Sequence, residues 1–365
     1  MPRVGIDCRL AGLNHAGIGR YISCLVPRVI SLLENKADIV LFCATKQQAH
    51  ELNPNESAWV AIVQTPIKHY SLAEQTQFLA VLRQQSLDVL HVPHFNVPFF
   101  YRGKFVVTIH DLLWHEQRGL HVTTLKPIIY WLKYFFYRHV VANTIARAKT
   151  IFVPSKTIAN QVLKTFSDAK NKIIVTYEGV SDAFAKPKFI AQRKKNTLLY
   201  VGSLYPHKNI QLVLKLLQRQ PEIRLEIVTA RSAFVTKVKK RIVALGLKNQ
   251  VIFYISITDQ ELAKKYQQAT ALIQPSLSEG FGLTGLEALR QGTPLLASDI
   301  PIFHEIYQQQ AVFFDPHSVK SLQSAWDSIE NKMTQLQLPK QFFEKYDWDK
   351  LAKQTTDVYL TTLKN

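Results

Sequence analysis

The sequence predicts an α/β protein built from two doubly wound parallel-sheet domains, and three observations support this. The chain has 365 residues, too many for one ordinary hydrophobic core but enough for two. Short apolar runs alternate with longer amphipathic segments, as in parallel sheets with crossover helices. The composition, 47% hydrophobic and 20% charged residues, is that of a chain that buries real cores.

The alternation forms two series. In the first, buried strands are predicted at residues 4–6, 39–43, 89–92, 105–109 and 150–153, with helices at 19–33 and 71–85. In the second, strands are predicted at 197–202, 224–228, 250–254, 271–274, 294–297 and 312–314, with helices at 210–218, 234–245, 259–268 and 318–332. We find no solenoid repeat and no low-complexity tract.

The series define the predicted domains. Residues 1–178 form the first domain and residues 197–345 the second, and the linker at 179–196 contains Gly179, Pro187 and the basic run Arg193–Lys195. Ligands of such sheets bind at the carboxyl ends of the strands, so we expect the two domains to face each other across a binding cleft.

Composition limits the classes of function. The three cysteines, Cys8, Cys24 and Cys43, form no disulfide framework and no zinc-ligand pattern, which favours a reduced, cytoplasmic compartment. The sequence opens with no signal peptide and has no apolar run of membrane-spanning length, so we expect a soluble or peripheral protein. The net charge of +18 suits nucleic acid, an anionic membrane surface or a phosphorylated substrate, but a solvated basic surface also accounts for it.

The first motif follows the first predicted strand and opens a helix. Gly17 and Gly19 would let the backbone approach a phosphate at the helix amino terminus, with Arg20 beside them. The motif is not the dinucleotide fingerprint, because position 22 is isoleucine. A merely flexible loop is the alternative.

The second motif is His110-Asp111, at the carboxyl end of a predicted strand. A histidine beside a carboxylate there can hydrogen-bond a substrate hydroxyl and orient it. The alternative is a structural histidine whose ring is satisfied by a backbone carbonyl.

The third motif runs from Gly202 and Ser203 to Lys208, which lies just before a predicted helix. An ammonium group there can neutralise a diphosphate and a departing phosphate. A lysine exposed on a loop is the alternative.

The fourth motif is the most specific, and it spans Glu279 to Glu287. Gly280, Gly282 and Gly285 are expected to leave backbone amides free to face a ligand at the start of a helix. The two glutamates, one in the loop and one a turn or so inside the helix, would offer carboxylates to the hydroxyls of one ligand.

In this order along nearly the whole chain, Gly17–Tyr21, His110-Asp111, Val153–Ser155, the Gly202…Lys208-Asn209 turn and Glu279…Glu287 resemble glycosyltransferase family 4. The resemblance implies retaining enzymes of GT-B architecture, with two Rossmann-like domains. It also implies that a terminal helix, residues 346–365, crosses back to the first domain. The Gly-Ile-Gly-Arg-Tyr subgroup suggests a mannosyltransferase-like member with a guanosine diphosphate donor.

The resemblance also implies roles for the motif residues. Glu287 would bind the ribose, while Glu279 and the backbone of Gly280, Phe281, Gly282 and Leu283 would hold the donor sugar. Lys208 would pair with the diphosphate and Gly17 would approach it, and His110 would contact the transferred sugar. Asp111 and Arg20 would lie on the acceptor side. The family generally needs no metal ion for the chemistry, and we expect none here.

The sequence departs from the family pattern near Lys208. Many relatives have arginine after the motif glycine, where this chain has Ser203, and others have arginine before the lysine, where this chain has His207. Arg231 is the candidate replacement for the missing phosphate contact. Asp347-Trp348-Asp349 mimics a metal-binding motif of another glycosyltransferase fold, but its position before a helix favours a helix cap.

The segment from Gln117 to Ser167 contains eight lysines or arginines and no acidic residue, and it includes a dense aromatic run at 128–138. These rings either fill the core of the first domain or dock at an anionic bilayer near a lipid-linked acceptor. We expect a buried face combined with a basic face that touches lipid.

The sequence thus predicts transfer of a hexosyl unit, with mannose as the suggested sugar, from a nucleotide-sugar to a glycan or polyprenyl-linked acceptor in surface polysaccharide or glycolipid synthesis. The enzyme would be cytoplasmic, or peripheral at the inner membrane face. A nucleotide-sugar epimerase of the same architecture and a basic nucleic-acid-binding protein are the alternatives, although no nucleic-acid motif is present. A dinucleotide-dependent oxidoreductase lacks its fingerprint in both series.

Overall fold

The computed structural model describes residues 1–12, 15–116, 119, 123, 126–184, 192–229, 234–329 and 339–364. The chain divides into two compact units. Unit 1 comprises Met1–Glu178 and Asp347–Asn365, and unit 2 comprises Gly179–Tyr346. Each unit has a parallel sheet with helices between its strands, which is the predicted fold class.

Unit 1 contains a seven-stranded sheet in the order β3-β2-β1-β4-β5-β6-β7. Its strands are β1 (Arg3–Asp7), β2 (Asp38–Cys43), β3 (Val60–Gln64), β4 (Val89–Val92), β5 (Phe105–Thr108), β6 (Thr150–Val153) and β7 (Ile173–Val175). The helices of unit 1 are α1 (Ala16–Leu33), α2 (Lys46–Leu52), α3 (Leu79–Gln84), α4 (Leu113–Glu116), α5 (Pro127–Arg147), α6 (Lys156–Thr165) and the C-terminal helix (Trp348–Lys364). A π-helical segment, Glu74–Phe78, precedes α3.

Unit 2 contains a six-stranded sheet in the order β10-β9-β8-β11-β12-β13. Its strands are β8 (Thr197–Val201), β9 (Arg224–Thr229), β10 (Val251–Ile255), β11 (Ala271–Gln274), β12 (Leu295–Ser298) and β13 (Val312–Phe314). Its α-helices in the described residues are α7 (Ile210–Leu217), α8 (Val235–Ala244), α9 (Asp259–Gln268), α10 (Leu283–Arg290), α11 (Pro301–Tyr307) and α12 (Val319–Asp327).

The sequence found the central strands and missed the two edge strands of unit 1, β3 and β7. Central strands such as β4 and β5 are buried along their whole length and therefore form continuous apolar runs. β3 and β7 pair on one side only, at Ile39–Cys43 and Ile151–Val153, and none of their residues is fully buried. The two edge strands of unit 2, β10 and β13, were predicted, so an edge position alone does not account for the two strands that were missed.

The C-terminal helix packs on α1 within unit 1. Trp348 lies edge-on to Tyr21 with 5.9 Å between ring centroids, and both rings are buried. Arg28 Nε donates to Asp349 Oδ1 over 2.7 Å. Asp347 Oδ1 accepts from the backbone N–H of Asp349 at 2.7 Å and that of Lys350 at 3.3 Å, so Asp347 is a helix cap, as predicted.

Helix α5 contains the basic aromatic run and corrects the expectation for it. One face is buried against the unit 1 core through Tyr130, Tyr134, Tyr137 and Val141. The opposite face is apolar rather than basic, with Trp131 49% and Phe135 57% exposed. The core interpretation and the surface interpretation each describe half of the aromatic rings, because half are buried in the core and half are exposed.

The two motif glycines lie inside the first turn of α1 rather than in a loop before it. Gly19 is buried because the helix approaches the preceding backbone there. A Cβ at Gly19 would lie 1.9 Å from the Gly12 carbonyl oxygen and 3.0 Å from that of Leu10. A Cβ at Gly17 would meet nothing within 4 Å, so only Gly17 leaves space for another group.

We therefore expect Gly19→Ala to lower the free energy of unfolding and Gly17→Ala not to lower it. Gly19→Ala should lower it by about 1–3 kcal/mol, because a backbone carbonyl must shift to admit the methyl group. Gly17→Ala should leave it unchanged or raise it by roughly 0.5–1 kcal/mol, because alanine is the better helix former. Denaturant unfolding measures both, and equal values for the two variants would contradict the close approach at Gly19.

Candidate active site

The loops that carry the third and fourth motifs are neighbours at one edge of the unit 2 sheet. β8 and β11 pair directly, and the strand order reverses between them, so the loops after both strands leave the sheet side by side. The backbone N–H of Leu277 in the second loop donates to the His207 carbonyl in the first at 2.7 Å. The fold therefore brings together segments about seventy residues apart in sequence.

Lys208 and Glu279 form an ion pair across these two loops. Their side chains are 19% and 18% exposed, so the pair is largely shielded but still open to a ligand. Ser276 Oγ also donates to Glu279 Oε2 at 3.2 Å. Burial alone would raise the pKa of Glu279, but the Lys208 ammonium and these hydrogen bonds more than offset it and lower the pKa below its ordinary value.

Local backbone geometry positions Lys208. The chain leaves β8 through Gly202, whose φ of +148° favours glycine, and then forms the 3-10 turn Pro206–Lys208. Asn209 is left-handed at φ +53° and its Nδ2 donates to the Pro316 carbonyl at 2.8 Å. The turn and this bond fix Lys208 directly ahead of α7.

The residues that depart from the family pattern bring no second cation. Burial, with the nearby Lys208 charge, lowers the pKa of His207 to about 4, so its ring is neutral at neutral pH. The ring of His207 stacks on Tyr205 with 6.0 Å between centroids. Ser203 is half-buried, and its carbonyl accepts from the Tyr200 hydroxyl. Arg231, the predicted replacement, lies outside the described residues, so its role stays a prediction.

Tyr307, the last residue of α11, holds the glycine loop in place. The sequence did not indicate this residue. Its hydroxyl lies 2.6 Å from the Gly282 carbonyl oxygen and also contacts Gln274. Gly282 has φ +100° and is the N-cap of α10, with no side chain to cap the first amides of that helix. These amides are the groups that a helix leaves without intrahelical partners.

The Gly285 amide is not free as predicted, because its N–H donates to the Gly282 carbonyl at 3.0 Å. A Cβ at Gly285 would lie 2.3 Å from the Tyr307 hydroxyl oxygen, so this glycine permits close packing beneath the loop. Gly280 is half-buried, whereas Phe281 and Leu283 are 4% and 9% exposed. Any contact of Phe281 or Leu283 with a ligand would therefore use backbone rather than side-chain atoms.

The two glutamates of the fourth motif have different partners. Glu287 is 2% exposed, and its Oε2 accepts from the Tyr266 hydroxyl at 2.9 Å. Glu279, in the loop, is paired with Lys208. The two carboxylates thus have separate surroundings, and Tyr266, on α9, is a partner that the sequence did not indicate.

In unit 1, His110 lies just beyond the end of β5, and both ring nitrogens have partners. Nε2 donates to the Pro93 carbonyl at 3.2 Å, and Nδ1 lies 3.3 Å from Glu178 Oε1. The carboxylate against the ring is therefore Glu178 rather than the adjacent Asp111, which instead accepts from the Leu113 backbone N–H at 3.1 Å. Glu178 was not predicted because β7, the strand that precedes it, was itself missed.

A buried chain of polar side chains supports the His110 region. Tyr21 lies edge-on to the His110 ring with centroids 4.7 Å apart, and its hydroxyl contacts Thr108 Oγ1 at 3.1 Å. Thr108 in turn contacts His91, which bonds the Tyr359 hydroxyl of the C-terminal helix at 2.5 Å. Burial lowers the pKa of His91 to about 3, so this chain stays uncharged at its centre. Of the neighbouring motif residues, Gly17 is exposed and Arg20 is half-buried.

A second polar cluster, not predicted from the sequence, occupies the strand-order reversal of unit 1, between β1 and β4. Arg9 Nη2 pairs with Asp7 at 2.7 Å and with Glu74 at 2.8 Å, and its guanidinium lies 3.6 Å from the Phe78 ring centroid. Asn96, after β4, donates to Glu74 as well. All three side chains are buried, and Arg9 pairs with both carboxylates. We therefore interpret the cluster as a fixed support for the loops at this edge of the sheet.

Among the described residues, no three His, Cys, Asp or Glu side chains are grouped so that they could hold a metal ion. Across the same residues, no helix combines the length and apolar character needed to span a bilayer.

Two family profiles match the chain in succession. The profile described as Glycosyltransferase Family 4 matches residues 17–184, and the one described as Glycosyl transferases group 1 matches residues 181–346. Together they include all four motifs.

Characterised relatives agree with these profiles. The O-antigen chain mannosyltransferase RfbU of Salmonella typhimurium is 31% identical over 260 residues, covering 70% of this chain and 72% of the relative. The O-antigen chain mannosyltransferase B of Escherichia coli is 24% identical over 377 residues, covering 94% of this chain and 95% of the relative.

Solved structures show the same fold. Sucrose-phosphate synthase from Thermosynechococcus elongatus superposes with a TM-score of 0.74 at 17% identity, over 98% of both chains. HepE of Anabaena, in complex with UDP and glucose, superposes with a TM-score of 0.67 at 18% identity, over 99% of this chain and 98% of that one. With its two parallel-sheet units, its matched profiles and these relatives, the chain is a GT-B glycosyltransferase and belongs to glycosyltransferase family 4.

Proposed function

We propose that this glycosyltransferase moves a hexosyl unit from a nucleotide-diphosphate sugar, with retention at the anomeric carbon. The proposed acceptor is a glycan or a polyprenyl-linked sugar in surface polysaccharide or glycolipid synthesis. The observation that carries the proposal is the Lys208–Glu279 pair, held where two strand-end loops meet. Mannose is the proposed sugar, because two of the relatives are named O-antigen chain mannosyltransferases.

The donor's diphosphate is proposed to bind at Lys208 and at the start of α10. When no donor is bound, Glu279 pairs with Lys208 and so holds the ammonium group in place. An arriving diphosphate competes for the ammonium group, and Glu279 then becomes an acceptor for sugar hydroxyls. The uncapped amides beyond Gly282 add hydrogen-bond donors and the positive end of the helix dipole.

The ribose is proposed to bind at Glu287. A carboxylate accepts hydrogen bonds from vicinal hydroxyls, and the Tyr266 hydroxyl holds this one in place. In unit 1, we assign His110, Asp111 and Arg20 to recognition of the transferred sugar and the acceptor, and Gly17 to close approach of a phosphate. The open space over Gly17 supports the last assignment.

The proposed chemistry needs no enzymatic nucleophile. The acceptor hydroxyl oxygen attacks the anomeric carbon on the face from which the diphosphate departs. The hydroxyl proton passes to an oxygen of the leaving phosphate, which serves as the base. Lys208 stabilises the negative charge that develops on that phosphate, and such stabilisation matters most in the transition state. We expect turnover to persist in the presence of a metal chelator.

We further propose that the protein acts in the cytoplasm, or at the inner face of the membrane, where it meets a lipid-linked acceptor. The epimerase alternative would convert the nucleotide-sugar without any acceptor, and nucleic-acid binding would need no donor at all. The matched glycosyltransferase profiles favour transfer over both.

A screen of nucleotide-sugars tests the proposal. We expect one hexose donor to raise the melting temperature and to be slowly hydrolysed, because a ligand that binds only the folded state stabilises it by mass action. A polyprenyl-diphosphate sugar or glycan acceptor should then receive the hexose with its anomeric configuration retained. Conversion of the donor to an epimer without acceptor would instead establish the alternative.

Lys208→Ala should lower kcat at saturating donor by about 10²–10³-fold, the usual loss for one group that stabilises developing negative charge. The protein should remain folded, because Lys208 lies in a loop turn outside the hydrophobic core of unit 2. Lys215→Ala, an exposed lysine on the adjacent α7, is the matched control and should keep full activity. Undiminished turnover by Lys208→Ala would remove Lys208 from the mechanism.

Glu279→Gln should make the free energy of unfolding less dependent on pH. The pKa of Glu279 is lowered in the folded state, so its contribution is fully present above its ordinary value of 4.5 and is lost as the pH falls through the lower folded value. We expect the variant to be less stable than the native protein by about 1–2 kcal/mol at neutral pH, with the difference shrinking in acid.

The matched control for this series is Glu222→Gln, which changes an exposed glutamate of the same unit. Denaturant unfolding at a series of pH values gives both differences. A stability difference for Glu279→Gln that stayed constant from neutral to acidic pH would exclude the charged pair as its cause.

A further inference from the structure

Helix α5 carries a second apolar face that the described residues of unit 1 do not cover. We call it the α5 outer face, and it comprises Ile128, Ile129, Trp131, Leu132, Phe135 and Phe136. These side chains are between 44% and 83% exposed, the most exposed being Ile128. Single exposed apolar residues are ordinary, but six within nine residues of one helix form a contiguous patch that marks an interaction site.

The spacing of these residues excludes a simple core explanation. Tyr130, Tyr134, Tyr137 and Val141 recur every three or four residues and bury one stripe of the helix. Ile128, Trp131, Leu132 and Phe135 follow the same spacing on the opposite stripe. A helix that is apolar on both sides needs a second apolar environment.

An exposed aromatic ring also lies in a loop beside the carboxyl end of α5. Arg147 of α5 donates to the Phe99 carbonyl at 3.4 Å and to the Tyr101 carbonyl at 2.5 Å, which holds the loop against the helix. Between them, the Phe100 ring is 56% exposed. A second element thus presents an aromatic ring beside the same helix.

Exposed cations border the α5 outer face, and acidic residues are absent from this stretch of sequence. Lys133 and Arg138 lie on the two flanks of the apolar stripe, and Lys126 precedes the helix, all three exposed. No Asp or Glu occurs between Gln117 and Ser167, and the whole chain carries +18. Long basic side chains at the borders of an apolar stripe can reach anionic headgroups while the stripe enters the acyl region.

We propose that the α5 outer face, with Phe100, docks on an anionic lipid bilayer, with α5 lying in the plane of the headgroups. The cations around the α5 outer face favour a bilayer over a second copy of the chain as its partner. A symmetric pairing of two such faces would place Lys126, Lys133 and Arg138 of both copies in one interface, with no acidic residue of the helix to offset the repulsion. An anionic bilayer surface is complementary to all three of these cations. Tryptophan and phenylalanine are common on the membrane-facing side of helices that lie in the headgroup region.

This surface shares no residue with the donor site, so its test does not depend on turnover. The full-length protein is mixed with vesicles of phosphatidylcholine alone, or of phosphatidylcholine with one third phosphatidylglycerol, and binding is measured by flotation. We expect binding to the anionic vesicles only, weakened by added salt because exposed charges are screened. Absence of binding at low salt overturns the proposal.

Two variants separate the apolar and the charged contributions. Trp131→Ser/Phe135→Ser should lower the partition coefficient on anionic vesicles by on the order of 100-fold, through lost apolar burial. Lys133→Gln/Arg138→Gln should lower it by roughly 25-fold, at about five-fold for each cation near the surface. Circular dichroism and the melting temperature confirm that both variants fold, as expected for exposed positions.

Matched controls change exposed residues of unit 2. Val243→Ser/Ile255→Ser removes two exposed apolar side chains, and Lys237→Gln/Lys240→Gln removes two exposed cations. Both should bind vesicles as the native protein does. Equal losses in the controls and the α5 variants would show unspecific adsorption and overturn the proposal. So would a dimer, measured by light scattering, that Trp131→Ser/Phe135→Ser converts to monomer while vesicle binding is unchanged.

Discussion

The strand order of the unit 2 sheet reverses between β8 and β11, and the candidate donor site depends on that constraint. Two strands that run in parallel side by side must send their following loops out of the same edge, but the helices after them go to opposite faces of the sheet. The gap that opens between the loops is where Lys208 and Glu279 meet. The bond from Leu277 to the His207 carbonyl then fixes the separation of the two loops.

The charges of Lys208 and Glu279 balance each other at the candidate donor site. A buried lysine without a partner would favour its neutral form, and a buried carboxylate alone would favour protonation. Pairing keeps both groups charged in a partly shielded place, so an anion can replace Glu279 at Lys208 without either group first gaining a charge. With His207 uncharged, Lys208 is the cation of the turn Pro206–Lys208, and the electrostatic role proposed for this turn rests on it.

Helix α5 illustrates why composition alone left two interpretations open. A run of isoleucine, tyrosine, tryptophan and phenylalanine contains both a core stripe and an exposed stripe, and the two have the same spacing. The residue types alone do not show which of the two stripes packs against the sheet. The packing of Tyr130, Tyr134 and Tyr137 against unit 1 decides it, and the remaining rings are exposed as a consequence.

The sequence by itself determined the fold class, every strand except β3 and β7, the motif residues and their order, and the Asp347 cap. It could do so because buried parallel strands form continuous apolar runs, and because caps and glycine turns are local chemistry. Only the tertiary structure decided which distant groups meet: Glu178 beside His110, Tyr266 on Glu287, Tyr307 beneath Gly282 and Gly285, and Lys208 on Glu279. The physical reason is that these partners come from different strands and helices, and a side chain carries no local signal of a neighbour that only the sheet's strand order brings within reach.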